Sequence, residues 1–537
     1  MSVWPKVPDN VFSAELADDP DTVTGDERVM RARTVLLLTI PLVVMAVAAG
    51  ITMPFISASS LPAPPGPGRE ARSVQSPNSM AAFATKALPR GVTLRQIDGG
   101  PHYYAHISSG SAWMDQHILT GAWLEQPLSS TEVRYDVAMG NNIYWNLAAN
   151  PLDTKDCGGV QPCRVNFNVI RADHMHASAP DVTSRSGSET VAYEGTDEPD
   201  MNFGPGSNGW NPKGPNNTSS CIPSGSQCGY TAARFFYTGL PKSDGSPGYP
   251  AGKKPITQGF GKGVLFWETN AQAAKFLTYS DTLSADSYWM TDADLDVPSQ
   301  GGCALLPNSA TACGAGSGSG LTTAQRALPA NYAYNVTRLQ KLQALNGSSK
   351  PITVDVETGC PGSAGTCITP AASRAAAWHA IIAGARGIIW FQHNFSGPCV
   401  DFNTFYDGSK PASPMYKCQQ TPGVTLHDVV KSVSAFDHKV ARLNAVLLSP
   451  FAAHYVRTGN ADVSVMAKYS GGVFYVFAAS GEPAKPPVNG QAVTFRLAGG
   501  YTGPISVIGE RRTLHAVKGV FTDNFANADS VHIYKIG

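Results

Sequence analysis

The chain has 537 residues, too many for one ordinary hydrophobic core, and this length fits two or three domains. Forty Lys and Arg residues balance forty Asp and Glu residues, so no net field draws the chain toward nucleic acid or an anionic polymer. Hydrophobic residues make up 42%, which fills a sizeable core and excludes global disorder.

Residues 1–33 are polar, acidic and without period, and read as a disordered cytoplasmic tail. Residues 34–56, TVLLLTIPLVVMAVAAGITMPFI, carry no charge and are long enough to cross a bilayer as one helix. Arg28, Arg31 and Arg33 precede this run and no basic cluster follows it. The positive-inside rule then puts the tail in the cytoplasm and everything after the span outside. Ala46-Val47-Ala48 also matches a signal-peptide cleavage pattern, so secretion after cleavage is the alternative. Both readings export the same domains. Residues 57–90, with LPAPPGPGREARS, form a Pro- and Ser-rich linker.

Residues 91–430 alternate short apolar strands with helical stretches. The predicted strands are 118–127, 141–148, 164–172, 190–199, 263–269, 285–292, 352–359 and 387–394. The clearest helices are 271–283, 321–345 and 370–385, while 148–189 holds two strands with little helix between them. Eight strands in this alternation predict an α/β fold, a (β/α)8 TIM barrel whose working loops follow the strands. Residues 431–537 change to short alternating strands such as VSVMAKYS and GVFYVFAAS, which predict a C-terminal antiparallel β-sandwich.

All ten cysteines follow the apolar run, as expected of disulfides in an oxidising compartment. Local pairing is the simplest expectation: Cys157 with Cys163, Cys221 with Cys228, Cys303 with Cys313, Cys360 with Cys367, and Cys399 with Cys418. No CxxC or HxxxH spacing supports zinc. His174, His176 and Asp173 could begin a metal site, but no second ligand cluster follows, so no metal or other cofactor is expected. No GxSxG elbow, GxGxxG fingerprint or P-loop is present.

The fourth predicted strand ends AYEGTDEPD, the seventh TVDVETG, and the eighth reads GIIWFQHN. In this order the motifs resemble those of clan A (β/α)8-barrel glycoside hydrolases over roughly residues 115–400. The resemblance implies that Glu198 is the acid/base and Glu357 the nucleophile of a retaining reaction, and that Trp390 floors the sugar site. It departs at Asp197, where the family carries Asn to bond the sugar 2-hydroxyl. Retention needs two carboxyl groups flanking the anomeric carbon, and strand ends of a barrel supply such pairs.

Aromatic faces pack against sugar C–H faces, so Trp123, Trp145, Tyr288, Trp289 and Trp390 are expected substrate contacts, with Asp197, Glu268 and His393 as polar ones. Glu125, ending the first strand, reads equally as a hydroxyl contact or a surface residue, Asp286 equally as orienting Tyr288 or as structural, and Glu194, within a strand, as structural. The expected function is an extracytoplasmic glycoside hydrolase acting on a wall or environmental glycan, with carbohydrate and membrane but no nucleic acid as partners. The rival is a non-catalytic surface glycan-binding protein on a degenerate barrel. A transglycosylase would share both glutamates.

Overall fold

The computed structural model describes residues 87–123, 125, 130–145, 169–171, 191–194, 198–201, 233, 237, 254–296, 321–360, 367–394, 399–401, 403–459 and 462–537. All lie in one compact unit, Gln75–Gly537. The predicted tail and membrane span fall outside the described residues, as does nearly all of the linker. Among the described residues no helix is long and apolar enough to cross a membrane.

A first strand, β1 (Thr93–Arg95), precedes eight parallel strands that close into a barrel. These are β2 (Leu119–Trp123), β3 (Ile143–Trp145), β4 (Val169–Arg171), β5 (Ala192–Glu194), β6 (Ile256–Phe260), β7 (Thr282–Ala285), β8 (Ile352–Glu357) and β9 (Gly387–Phe391). Closure is direct, since β2 pairs with both β3 and β9. At Gly121 the strands approach so closely that a Cβ would fall 1.9 Å from the Ile143 carbonyl oxygen, so only glycine fits. Four helices matter below: α1 (Asn270–Phe276), α2 (Tyr332–Leu345), α3 (Pro370–Ala383) and α4 (Leu426–Leu447). The start of α3 is set by Thr369, whose side chain accepts from the Ala372 N–H, and by Pro370 in the first turn. Gly384, at φ 112°, ends it.

Two expected strands move. The fifth barrel strand is β6 rather than 263–269, and the sixth is β7 rather than 285–292. Gly263–Trp267 is a fully buried helical turn. A short apolar run has no period that separates buried strand from buried helix. Here Asp200 decides, because its carboxylate accepts from the N–H groups of Gly261 (3.1 Å) and Val264 (2.6 Å) and so satisfies donors that open the turn. The true strand, ITQGF, hides behind a glutamine and a glycine.

The second domain begins at β12 (Phe451–Ala453), after the hairpin of β10 (Gln419–Thr421) and β11 (Val424–Thr425). It continues through β13 (Val456–Thr458), β14 (Val463–Ser470), β15 (Val473–Ser480), β16 (Gln491–Leu497), β17 (Gly503–Val507), β18 (Arg512–Ala516), β19 (Val520–Phe525) and β20 (Val531–Ile536). One sheet runs β1-β12-β14-β15-β20-β17-β18 and the other β13-β16-β19, all antiparallel, with a shared apolar core between them. The expected boundary at 430/431 cuts α4, whose Phe436 packs on Trp390 and Trp378 and so belongs with the barrel. The sandwich also takes β1 from before the barrel, pairing Thr93 with Ala453. Barrel and sandwich share one core: Trp378 of α3 stacks on Phe477 of β15 at 5.9 Å, a contact worth about 1 kcal/mol beyond its buried area.

Candidate active site

Side chains alternate along a strand, so residues 119, 121 and 123 of β2 share a face, as do 387, 389 and 391 of β9. Leu119, Ile143, Trp145 and Ile389 form one buried cluster with Tyr104, Met114 and Ala192, which fills the barrel interior. Above it lies an aromatic shelf at the C-terminal rim. Trp123, partly exposed, stacks on Phe391 with centroids 4.9 Å apart, and Tyr288 leans on the other side of Phe391 at 4.6 Å. His393 meets Trp123 edge-on at 6.2 Å.

Carboxylates gather at the same rim. Burial pushes the Tyr288 phenol well above its usual range, and the charges of Asp286, Asp355 and Glu198 push it further. Asp355, 5% exposed, accepts from Ser284 Oγ at 2.7 Å. Glu198 keeps partial exposure and a left-handed backbone, φ 41°, which costs about 1–3 kcal/mol for a residue with a side chain and collects at functional sites. Its carboxylate lies against Gly261, where a Cβ would come within 2.4 Å of Glu198 Oε1. The turn carrying Glu198 is pinned by Asp200 to the start of Gly263–Trp267, so its position is set by two elements.

Glu357 is fully buried. Its Oε1 accepts from the Met290 N–H at 2.6 Å and its Oε2 from Thr291 Oγ1 at 3.2 Å. Burial raises its pKa to about 7, against the pull of Met290, Tyr332 and Thr291. On the far side of the shelf, Glu125 is also fully buried, accepting from Gln392 Nε2 at 2.5 Å and the Phe405 N–H at 3.3 Å. Burial, then the charges of Asp136 and Asp401, raise it well above the carboxylate range. Asp136 is raised to about 7 by burial, against the hydrogen bond from Tyr144.

The rim loops are cross-linked. Cys360 bonds to Cys367 and Cys399 to Cys418. Asn394 ties the loop after β8 to the hairpin, accepting from the Cys360 N–H at 2.9 Å and donating to Gln420 Oε1 at 2.6 Å. The other three expected cysteine pairs, and Asp197, His174, His176 and Asp173, lie outside the described residues.

The structure thus brings Glu198, Tyr288, Trp123 and His393 to one rim and sets other expected contacts apart. Trp390 points outward, donating from Nε1 to Asp437 at 3.0 Å and packing on Phe436, and Phe391 takes the shelf position. Trp289 is also outward and fully buried, bonded to Asn335 at 3.0 Å and packed on Phe266. Trp145 belongs to the barrel interior. Glu268 sits behind the rim at the end of the buried turn, raised to about 8 by burial and by Asp200, with Arg338 opposing. Asp355 and Phe391 went unnamed in sequence; Asp355 lies two residues before Glu357 on the same strand face, and Phe391 follows Trp390 on the opposite face.

No protein-family model matches the chain, and no curated protein matches it. Among solved structures, a GH30 endoxylanase from Clostridium papyrosolvens aligns at 9% identity over 83% of this chain and 98% of its own, with TM-score 0.36. An alpha-amylase from Geobacillus thermoleovorans, complexed with acarbose, aligns at 9% identity over 79% and 99%, with TM-score 0.34. A glucosidase from Croceicoccus marinus aligns at 11% identity over 78% and 95%, with TM-score 0.35.

Proposed function

We propose that the chain is a glycoside hydrolase working at the C-terminal rim of the barrel. The observation that carries this reading is the convergence of Glu198, Asp286 and Asp355 around Tyr288, beside the Trp123–Phe391 shelf. An aromatic face with carboxylates at its edge suits a pyranose, which presents C–H bonds on one side and hydroxyls around its rim.

In this reading Glu198 donates its proton to the glycosidic oxygen as that bond breaks. A carboxylate of β8 attacks the anomeric carbon from the other face and forms a glycosyl ester. Water, deprotonated by Glu198, then releases the sugar. Glu357 takes the attacking role, oriented by the Met290 N–H and Thr291. A second reading gives that role to Asp355, favoured because its charge, like that of Glu198, acts on Tyr288.

The experiment is a set of alanine variants at 198, 355 and 357, assayed on a panel of dinitrophenyl glycosides with and without azide. Rescue by azide that yields a glycosyl azide of inverted anomeric configuration identifies the nucleophile, whereas a product of retained configuration marks the acid/base. Activity equal to the parent in Glu198→Ala would rule out its role. A parent chain inactive on every glycoside, yet binding glycans, would leave the non-catalytic reading standing.

The reading extends to location: export through the 34–56 span, retained as a single-pass anchor. The Cys360–Cys367 and Cys399–Cys418 disulfides support an oxidising compartment. Fractionation of cells carrying the full chain tests this, with release into the medium pointing to cleavage instead.

A further inference from the structure

A cavity of about 260 Å³ opens where the outer helices of the barrel meet the sandwich, and none of the rim residues described above line it. Arg374 of α3, Lys439 of α4 and Asp529, in the turn before β20, line it together with Trp378, Phe436 and Val531. The three charges come from three separate elements, so no local helix pairing accounts for them. Arg374 is held by Ser432, to whose Oγ it donates at 2.5 Å, and Ser432 in turn donates to the Pro370 carbonyl. The Lys439 ammonium stands 5.6 Å from the centre of the Trp378 ring. Among the described residues neither that ammonium nor the Asp529 carboxylate has a hydrogen bond or ion pair of its own.

All three side chains are partly exposed, and Arg374 and Asp529 each favour the other's charged form. Burial lowers the pKa of both Arg374 and Lys439 and raises that of Asp529. The groups acting on Lys439 are Glu510, which favours its charge, and Arg442 and Arg374, which oppose it. Glu510 is itself engaged by Arg512 and His532, leaving the cavity wall with an excess of positive charge. Conformational order here is cheap, because α3 and α4 are anchored by the shared core. A ligand that brought an anion to the two cations and a hydroxyl to the carboxylate would satisfy all three groups.

We propose that this cavity is a binding site, separate from the barrel rim, for a carboxylate-bearing sugar unit of the hexuronate class. The sugar carboxylate meets Arg374 and Lys439, a ring hydroxyl donates to Asp529, and the C–H face rests on the Trp378 and Phe436 wall. The size agrees, since one pyranose ring with its water fits such a volume while an oligosaccharide must run out of it. The site is independent of what the barrel rim does.

The test is calorimetric titration of the full chain with D-glucuronate, D-glucose and sodium sulfate, alongside Lys439→Gln and Asp529→Asn, each first checked for a parental melting profile. Glucuronate is expected to bind with a millimolar Kd or better. Lys439→Gln should weaken it by about tenfold or more, and Asp529→Asn should weaken glucuronate without weakening sulfate. Glucose should bind at least about tenfold more weakly than glucuronate. The proposal is overturned by absence of glucuronate binding in the parent, by undiminished binding in a folded Lys439→Gln, or by sulfate binding as tightly as glucuronate. If one variant does not fold, the other still decides.

Discussion

Asp523 in the sandwich and three carboxylates in the barrel are buried in opposite ways. In the sandwich Asp523 receives two hydrogen bonds from Arg512, both at 2.7 Å, and one from the Tyr534 hydroxyl at 2.8 Å. Arg512 also meets Glu510 at 2.6 Å, so acids and base neutralise one another. Asp523 is pulled below the usual carboxylate range by Arg512 and Tyr534, which overcome the opposing effect of burial. In the barrel the fully buried carboxylates Glu125, Asp136 and Glu357 are held by neutral donors: an amide, a phenol and a backbone N–H. Their pKa values are raised instead. Asp136 and Glu357, both at about 7, gain and lose a proton near neutrality, which is the property acid–base chemistry requires. Asp523 is committed to its ion pair, whereas Asp136 and Glu357 keep a proton exchangeable near neutrality.

The sharpest way to break this contrast is at the rim. Glu198→Ala should lower turnover by several orders of magnitude, about 4 kcal/mol or more in transition-state stabilisation, with little change in melting temperature. Steady-state assays and a thermal melt check both halves. Next in size is the sandwich network. Arg512→Ala removes, among the described residues, the only cation bonded to Asp523, which is 8% exposed, and should cost about 2 kcal/mol of stability by denaturant titration. Glu357→Gln should cost less than Arg512→Ala, because the amide preserves shape and removes a carboxylate that burial disfavours when charged.

A pH series separates the two regions without mutation. The folded pKa values of Glu357 and Asp136, both about 7, lie above their ordinary values of 4.5 and 3.8. Their contribution to stability is complete at low pH and is lost as pH rises through about 7. Asp523 has the opposite sign, its contribution present above the ordinary carboxylate range and lost as pH falls through its lowered pKa. Melting followed by near-UV signals of each domain should fall in the barrel as pH rises from the ordinary carboxylate range to about 7, and in the sandwich as pH falls below that range. A single shared pH profile would contradict the contrast. The smallest effect is reduction of Cys360–Cys367, which closes only a short loop. It should loosen the rim with a melting shift of a few degrees.

Much of this was legible in the sequence, and the misses have specific causes. Long helices with caps and apolar faces, such as 370–385 and the closing run of 321–345, end within two residues of α3 and α2. The alternating strands of the sandwich were equally plain. The barrel strands are buried on both faces, so their apolar runs carry no alternation to say which side chain points inward. That is why GVLFW passed for a strand, while the family resemblance put Trp390 where Phe391 forms the shelf. The Glu198 backbone and its approach to Gly261 have no sequence signal, because both arise from Asp200 meeting a turn sixty residues on. The borrowed strand β1 was also invisible, being three residues of mixed polarity.

That strand changes how force would travel through the molecule. The chain enters the folded unit at β1, which is edge-paired to β12 of the sandwich, before any barrel strand is laid down. A pull from the N-terminal side therefore loads an antiparallel seam in the sandwich and bypasses the barrel. Tension on a tether would peel β1 from Phe451–Ala453 while the rim that carries Glu198 kept its shape.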